Sequence, residues 1–259
     1  MLTDDQKARV LKEINSSLDK AEKHWRQGGY ELVQEQKAQL ESYNKAFDSA
    51  PSNIPEHPFV QDEETVIDQF IALVADMRNS SDHLMCEISY KSGAQVSGLE
   101  RVFYETSALL PALALTIGFQ GGGVTEYLGD GVLSLFKVDE NGKKEAIYKS
   151  YRAANNVIGD SRDIVNQVLE ERYGLPPIDI GVGLAMSKTI VKLVGVDGNK
   201  HPKAFGECVF RATKLSGGCN KIKIDERVWG EWPSSKGGRL KFKRLKHSKV
   251  QGYVIESKG

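Results

Sequence analysis

Two aspartates stand out in this sequence because of where they fall. Asp76 follows the short apolar run Phe70-Ile-Ala-Leu-Val74, and Asp130 sits in Gly129-Asp130-Gly131 between the apolar segments Val124 to Leu128 and Val132 to Val138. An acid at the end of a buried strand is exposed at the sheet rim while its backbone stays rigid. Two such acids brought together would hold divalent cations with little reorganisation, as two-metal catalysis requires. Asp before Gly is also a common turn pair, so spacing alone leaves a metal site and a plain turn both open. Other motif classes are absent. His24, His57, His83, His201 and His247 are scattered without HExxH spacing. Gly183-Leu-Ala-Met-Ser-Lys188-Thr189 has Ser187 where a phosphate loop needs its second glycine, and Gly181-Val-Gly183 lacks the third glycine of a dinucleotide fingerprint. No Gly-x-Ser-x-Gly elbow occurs.

The elements that must position these acids follow from the apolar patterning. Phe70 to Val74 reads as a buried strand, and Asp-Gly between two apolar segments is a strong hairpin signal. A helical pattern runs from about Val96 to Ile117, with Leu99, Val102, Phe103 and Leu110 as apolar positions, and a second from about Lys143 to Tyr173, stopped by Gly174-Leu-Pro-Pro177. Ile178 to Ala185 and Thr189 to Val196 read as a strand pair, Gly206 to Leu215 as a short helix, and Lys221–Asp225, Leu240–Leu245 and Tyr253–Glu256 as further strands. Strands that alternate with helices but are linked by hairpins indicate an α+β fold, a mixed or antiparallel sheet flanked by helices. Ahead of it, Val10, Leu11, Ile14, Leu18, Ala21 and Trp25 recur at helical spacing. Gly28-Gly29 interrupts that helix, and a second follows through Leu32, Val33, Leu40, Tyr43 and Phe47. The proline-rich stretch Pro51 to Pro58 reads as a linker. The expected organisation is therefore a helical appendage with linker over residues 1–60 and a catalytic domain over 61–259.

Composition narrows the function classes. The chain has 259 residues, 40% hydrophobic and 27% charged, with Lys+Arg 35 balancing Asp+Glu 35. Neutral net charge gives no general field for polyanions, so nucleic acid is not an expected partner. The longest apolar run, Ala108 to Phe119, contains Pro111 and falls short of the roughly 20 residues that span a bilayer. No basic-then-apolar leader precedes Lys7, and Cys86, Cys208 and Cys219 are odd in number and unclustered. The expectation is a cytoplasmic, reduced protein with no membrane association.

The segments around the two acids resemble the class III nucleotidyl cyclases. Ile71-Ala-Leu-Val-Ala-Asp76-Met-Arg-Asn-Ser-Ser81 is similar to the first metal-aspartate segment of that family, and Glu126-Tyr-Leu-Gly-Asp130-Gly-Val-Leu-Ser-Leu-Phe136 to the second. Ile180-Gly-Val-Gly-Leu-Ala185, then Lys203-Ala-Phe-Gly206 through Leu215, follow in the family's order, and Leu245-Lys246 through Ile255 resembles its last hairpin. The likeness covers about residues 65 to 256. It implies a cyclase homology domain acting as a head-to-tail homodimer, with each site across the interface. It further implies that Asp76, Asp130 and the Met77 carbonyl bind two Mg²⁺ or Mn²⁺ ions. The turn Arg78, Asn79, Ser80 and Ser81 would offer groups to a nucleoside triphosphate. Arg239, Lys241 and Lys243 alternate with Leu240 and Phe242 and so share one strand face, which reads either as a cationic wall for triphosphate, with Lys246 or Lys249 as the phosphate lysine, or as a solvated face protecting an edge strand.

Departures from the family pattern refine that expectation. In register with Gly206, the asparagine that positions ribose is Phe210 here, and the arginine that neutralises the α-phosphate is Lys214, which lacks the guanidinium fork. Arg211 would substitute after a small shift in register. Glu126 matches the base-selecting glutamate of guanylate cyclases, and Lys203 falls where those have cysteine or aspartate. A Glu/Lys pair either faces a base edge or pairs with itself. Intact metal acids with altered ribose and base positions resemble the stand-alone pyrimidine cyclases of the Pycsar antiphage systems, which make cyclic UMP or cyclic CMP for a separate effector protein. The resemblance implies a uridylate cyclase in preference to a cytidylate cyclase. An ordinary adenylate or guanylate cyclase and a catalytically degenerate nucleotide-binding domain are the alternatives.

Overall fold

In the computed structural model, residues 1–27, 49–62, 65–85, 96–196, 199–233, 238–246 and 249–257 are described. The elements are α1 (Asp4–Arg26), β1 (Ser49–Ile54), β2 (His57–Gln61), β3 (Val66–Met77), α2 (Ser80–Met85), α3 (Gly98–Gly118), β4 (Gly123–Tyr127) and β5 (Gly131–Lys137). They continue with α4 (Lys143–Asn156), a π turn (Val157–Ser161), α5 (Arg162–Tyr173), β6 (Ile180–Val196) and β7 (Asn199–Gly206). The last are α6 (Glu207–Leu215), β8 (Lys221–Asp225), α7 (Glu226–Gly230), β9 (Leu240–Arg244) and β10 (Gly252–Ser257).

An eight-stranded sheet runs in the order β4-β5-β3-β6-β8-β10-β9, with β7 paired to the far half of β6. Every pairing is antiparallel except β6 with β8. This is the α+β architecture that the hairpin-linked pattern predicts. Strand β3 is apolar from Phe70 to Ala75 because both of its faces are covered there. Ile71, Leu73, Ala75 and Met77 pack with residues of α1, α3, α4 and α5, whereas Phe70, Ala72 and Val74 face Cys208 and Ala212 of α6. Helix α1 opens with a capping box, Thr3 with Gln6. It places Val10, Ile14, Leu18 and Ala21 in the same core as β3.

Three sequence expectations are corrected. The proline-rich linker is a hairpin: β1 and β2 pair antiparallel from Ser49↔Gln61 to Ile54↔His57, with Glu56 in the left-handed region at the turn. The expected strand pair across residues 178–196 is one continuous strand, β6, whose hairpin partner is β7. Ser187 does not start a turn, because its hydroxyl accepts the Cys208 N–H and donates to the Lys188 carbonyl from within the strand. The expected helix from Lys143 to Tyr173 breaks at Gly159 into α4 and α5. There the Asp160 carboxylate accepts the Leu2 N–H at 2.6 Å and pairs with Lys7. The second N-terminal helix, through Leu32 and Phe47, lies outside the described residues.

Candidate active site

Asp76 is the penultimate residue of β3. Its register partners are Gly131 on β5 and Gly181 on β6, so the acid stands between two residues without side chains. A Cβ at residue 131 would fall 2.3 Å from the Ala75 carbonyl oxygen and 3.2 Å from Asp76 Oδ1. Glycine there leaves the carboxylate its room. A Cβ at residue 181 would meet the Ser216 carbonyl oxygen at 1.9 Å, so glycine there lets the turn after α6 lie directly on the sheet.

Asp130 occupies the turn before β5, next to Gly129 at φ +86°. Its carbonyl accepts the Met77 N–H at 3.1 Å, which ties the turn to the end of β3 and brings both acids to one rim of the sheet. The Ser80 hydroxyl donates to the Asp130 carboxylate. Arg78 reaches back to Asp76, its guanidinium pairing with the carboxylate and its Nε donating to the Asp76 carbonyl at 3.3 Å. The Arg78 N–H donates to the Asp179 carbonyl at 2.9 Å. Asn79 takes φ +61°, a left-handed conformation that Asn tolerates better than most residues, and so turns the chain into α2. Ser81 is exposed in the first turn of α2.

Other residues, which the sequence reading missed, hold this loop. Glu105 on α3 is fully buried and accepts from Arg101 Nε at 2.7 Å, and His83 Nδ1 of α2 lies 2.8 Å from its other oxygen. This anchors α2, and with it Ser80, to α3. Asn220 donates to the Asp179 carboxylate and accepts the Ile180 N–H, fixing the start of β6 behind Arg78. The signal available was the Arg101–Glu105 spacing of four in a helical pattern.

The remaining expected site residues lie elsewhere. Phe210 and Lys214 are one helical turn apart on the exposed face of α6, Phe210 at 72% exposure. Arg211 is committed to Glu226 at 3.3 Å and to Glu207 at 3.9 Å, so it is not a free substitute for the family's arginine. Glu126 on β4 and Lys203 on β7 pair with each other at 2.9 Å, which is the self-pairing alternative. Lys246 is exposed between β9 and β10. Asp76, Asp130 and the Met77 carbonyl offer only oxygen, the donor set that suits Mg²⁺ and Mn²⁺. Among the described residues, no group of three or more His, Cys, Asp or Glu side chains gathers as a metal cluster. At residue 131 a Cβ would stand 3.2 Å from Asp76 Oδ1, so the glycine leaves that oxygen uncrowded.

No protein-family model matches the chain. It is similar to an adenylate cyclase of Anabaena cylindrica, 26% identical over 153 residues, which is 56% of this chain and 29% of that protein. The chain thus spans under a third of that relative's length. The guanylyl cyclase Cya2 superposes with a TM-score of 0.58 at 18% identity, over 73% of this chain and 91% of that one. The adenylyl cyclase CyaB from P. aeruginosa gives 0.59 at 15% identity, over 75% and 96%. The fold is that of a cyclase catalytic domain. Within that fold Asp76 lies at the end of β3 and Asp130 in the turn that leads into its partner β5. Among the described residues, no helix is long and apolar enough to cross a membrane.

Proposed function

We propose that this chain is a nucleotidyl cyclase that converts a nucleoside triphosphate, UTP in preference to CTP, to its 3′,5′-cyclic monophosphate and pyrophosphate. The observation that carries the reading is the meeting of Asp76 and Asp130 at one rim of a cyclase-type sheet, each carboxylate beside a glycine or turn backbone. Asp76, Asp130 and the Met77 carbonyl are the groups that would hold Mg²⁺ or Mn²⁺. Bound there, the ions would lower the pKa of the ribose 3′-hydroxyl and clamp the triphosphate. The 3′-oxygen attacks the α-phosphorus, its proton passes to solvent, and the bond to the bridging β-phosphate oxygen breaks as pyrophosphate leaves. Arg78, Asn79, Ser80 and Ser81 line the loop that receives the phosphates. Lys214 supplies positive charge toward the α-phosphate, and Phe210 offers an apolar surface where a hydrogen-bonding asparagine would serve a purine cyclase.

Phe210 and Lys214 point away from the sheet, so in this reading they serve the acids of a second copy in a head-to-tail homodimer. An exposed apolar row, Ile67↔Ile190↔Phe205 across β3, β6 and β7, supports such a contact. The product would act on a separate effector in antiphage defence, a role that rests on the resemblance to the Pycsar cyclases alone. The second reading is a purine cyclase. The adenylyl and guanylyl names of the similar proteins favour it, as does the match of Glu126 to the base-selecting glutamate of guanylate cyclases.

The test is incubation of the purified protein with ATP, GTP, CTP or UTP and Mn²⁺, products identified by mass spectrometry, with Asp76→Ala alongside. A cyclic pyrimidine absent from the variant bears the proposal out. A cyclic purine keeps the chemistry and overturns the base assignment. No product from any of the four overturns the cyclase reading.

A further inference from the structure

Asp76 and Asp130 share a rim but keep different company. Among the described residues, Asp130 pairs with no cationic side chain, and its carboxylate accepts from the neutral Ser80 hydroxyl. Asp76 instead pairs with the guanidinium of Arg78, two residues further on. Local geometry produces that difference. The ladder between β3 and β6 continues one residue past Met77, where the Arg78 N–H donates to the Asp179 carbonyl at 2.9 Å. Strand alternation therefore sends the side chains of residues 76 and 78 to one side of the sheet. Arg78 Nε also donates to the Asp76 carbonyl at 3.3 Å, so one side chain grips both the carboxylate and the backbone of the acid. The pair is sheltered, with 21% of the Arg78 side chain and 27% of the Asp76 side chain exposed. Salt screens such a pair less than one on open surface.

The other flank of Arg78 gives the guanidinium no rival partner. Its Nη1 lies 4.0 Å from where a Cβ of residue 217 would stand, and Lys223 Nζ lies 3.8 Å from the same point. Gly217 has no side chain to hold the guanidinium, and the Lys223 ammonium repels it. Burial, then the fields of Lys221 and Arg78, pushes that ammonium below the ordinary lysine value. Among the described residues, Asp76 is the one acid on Arg78. A guanidinium and a divalent ion repel each other strongly on one carboxylate. Arg78 is tethered beside Asp76, so its effective concentration there is high and does not fall on dilution.

We propose that Arg78 is a tethered competitor for the divalent ion, a positioning residue that keeps Asp76 closed to metal until its guanidinium is drawn off, while Asp130 stays open. The inference rests on the cyclase reading for the ion that Asp76 takes. It makes the two acids unequal: an ion meeting Asp130 displaces only a hydroxyl, whereas one meeting Asp76 must evict a cation. Metal loading of the rim is then set by how often the Arg78–Asp76 pair opens.

The test is Mn²⁺ binding to the whole chain without nucleotide, followed by the electron paramagnetic resonance of the free ion. Arg78→Met keeps the aliphatic stem and removes the charge. It is expected to tighten Mn²⁺ binding about tenfold, the gain for a pair that is closed about nine-tenths of the time. Arg78→Lys keeps a cation and should stay within about threefold of wild type, and Lys12→Ala on α1 should change nothing. Asp76→Asn should cost far more affinity in the Arg78→Met background than in the wild type, the coupling that competition for one carboxylate requires. Equal or weaker Mn²⁺ binding in Arg78→Met overturns the inference. So does a gain that survives Asp76→Asn, since the gain would then come from net charge alone. The two proposals fail separately. Turnover of a nucleotide with Mn²⁺ affinity unmoved by Arg78→Met removes the competitor and leaves the cyclase. Tighter, Asp76-dependent Mn²⁺ binding in Arg78→Met without turnover of any nucleotide by the wild type does the reverse.

Discussion

The rim that carries Asp76 and Asp130 and the outer face of α6 make an instructive pair. Asp76 and Asp130 sit in backbone held from every side: by the ladder to β5 and β6, by the Met77 N–H on the Asp130 carbonyl, and by Arg78 on Asp179. Phe210 and Lys214 ride on a helix whose inner face, Cys208, Ala212 and Leu215, is fully buried while their own face is open to solvent. One half of the candidate site is complete within a protomer. The other is open to solvent. Residues of the first kind tolerate no displacement, and those of the second kind carry no stability.

That contrast can be broken most severely at the acids. Asp130→Ala should lower cyclase turnover at least about a thousandfold, since a metal ion supplies several kcal/mol to such a reaction. A thermal melt should show the fold intact. Nearly as large, but in stability, is Glu105→Ala. It leaves Arg101 and His83 facing a buried void, and should cost about 3–5 kcal/mol in chemical denaturation. A loss below about 1 kcal/mol would mean that α2 is not anchored by this group.

Asp225 tests the rigid side through pH. Burial pushes its carboxyl up to about 6 from an ordinary 3.8. Folding therefore favours the protonated form, so its stabilising contribution is full below pH 3.8 and is lost as pH rises through about 6. Asp225→Asn keeps an acceptor for the Val228 N–H that caps α7. It should raise stability near neutral pH by up to about 3 kcal/mol and flatten the profile between pH 4 and 7, read from urea midpoints.

At the outward face the expectation reverses. Phe210→Ala and Lys214→Ala should change stability by less than about 0.5 kcal/mol, yet lower turnover or shift base preference in the four-nucleotide assay. Smallest of all, Glu126→Gln should change stability by about 0–1 kcal/mol, because its pair with Lys203 is partly exposed. An effect on base choice there would tie the pair to selection.

The acids were legible because each is framed by residues whose physics is local: an apolar run before Asp76, and glycines on both sides of Asp130. Strand β6 was misread because the polar Ser187 and Lys188 look like a turn, whereas Ser187 is satisfied by the α6 backbone, a partner far along the chain. The true hairpin break falls between Val196 and Asn199, where the sequence carries Asp197-Gly198, the same signal that located Asp130. Pro51 to Pro58 looked like a linker because proline opposes ladder bonding, yet a peripheral two-stranded hairpin tolerates it. The Glu105 anchor was half-legible: its spacing of four from Arg101 is local, whereas His83 reaches it only because α2 packs on α3, and spacing does not supply that.

The strand order also sets a timetable. Strand β3, which carries Asp76, is completed by β5 on one side and by β6 on the other, and the residues that pair with its end through β6 lie about a hundred positions downstream. At a synthesis rate of about 5–20 residues per second, this apolar strand waits on the order of ten seconds with at least one edge uncovered. Closing so long a loop before any ladder bond rewards it makes folding slow. The nascent chain therefore passes through a stage in which its most hydrophobic strand is open to wrong partners. The protein's yield in a cell would depend on chaperone supply more steeply than its final stability suggests.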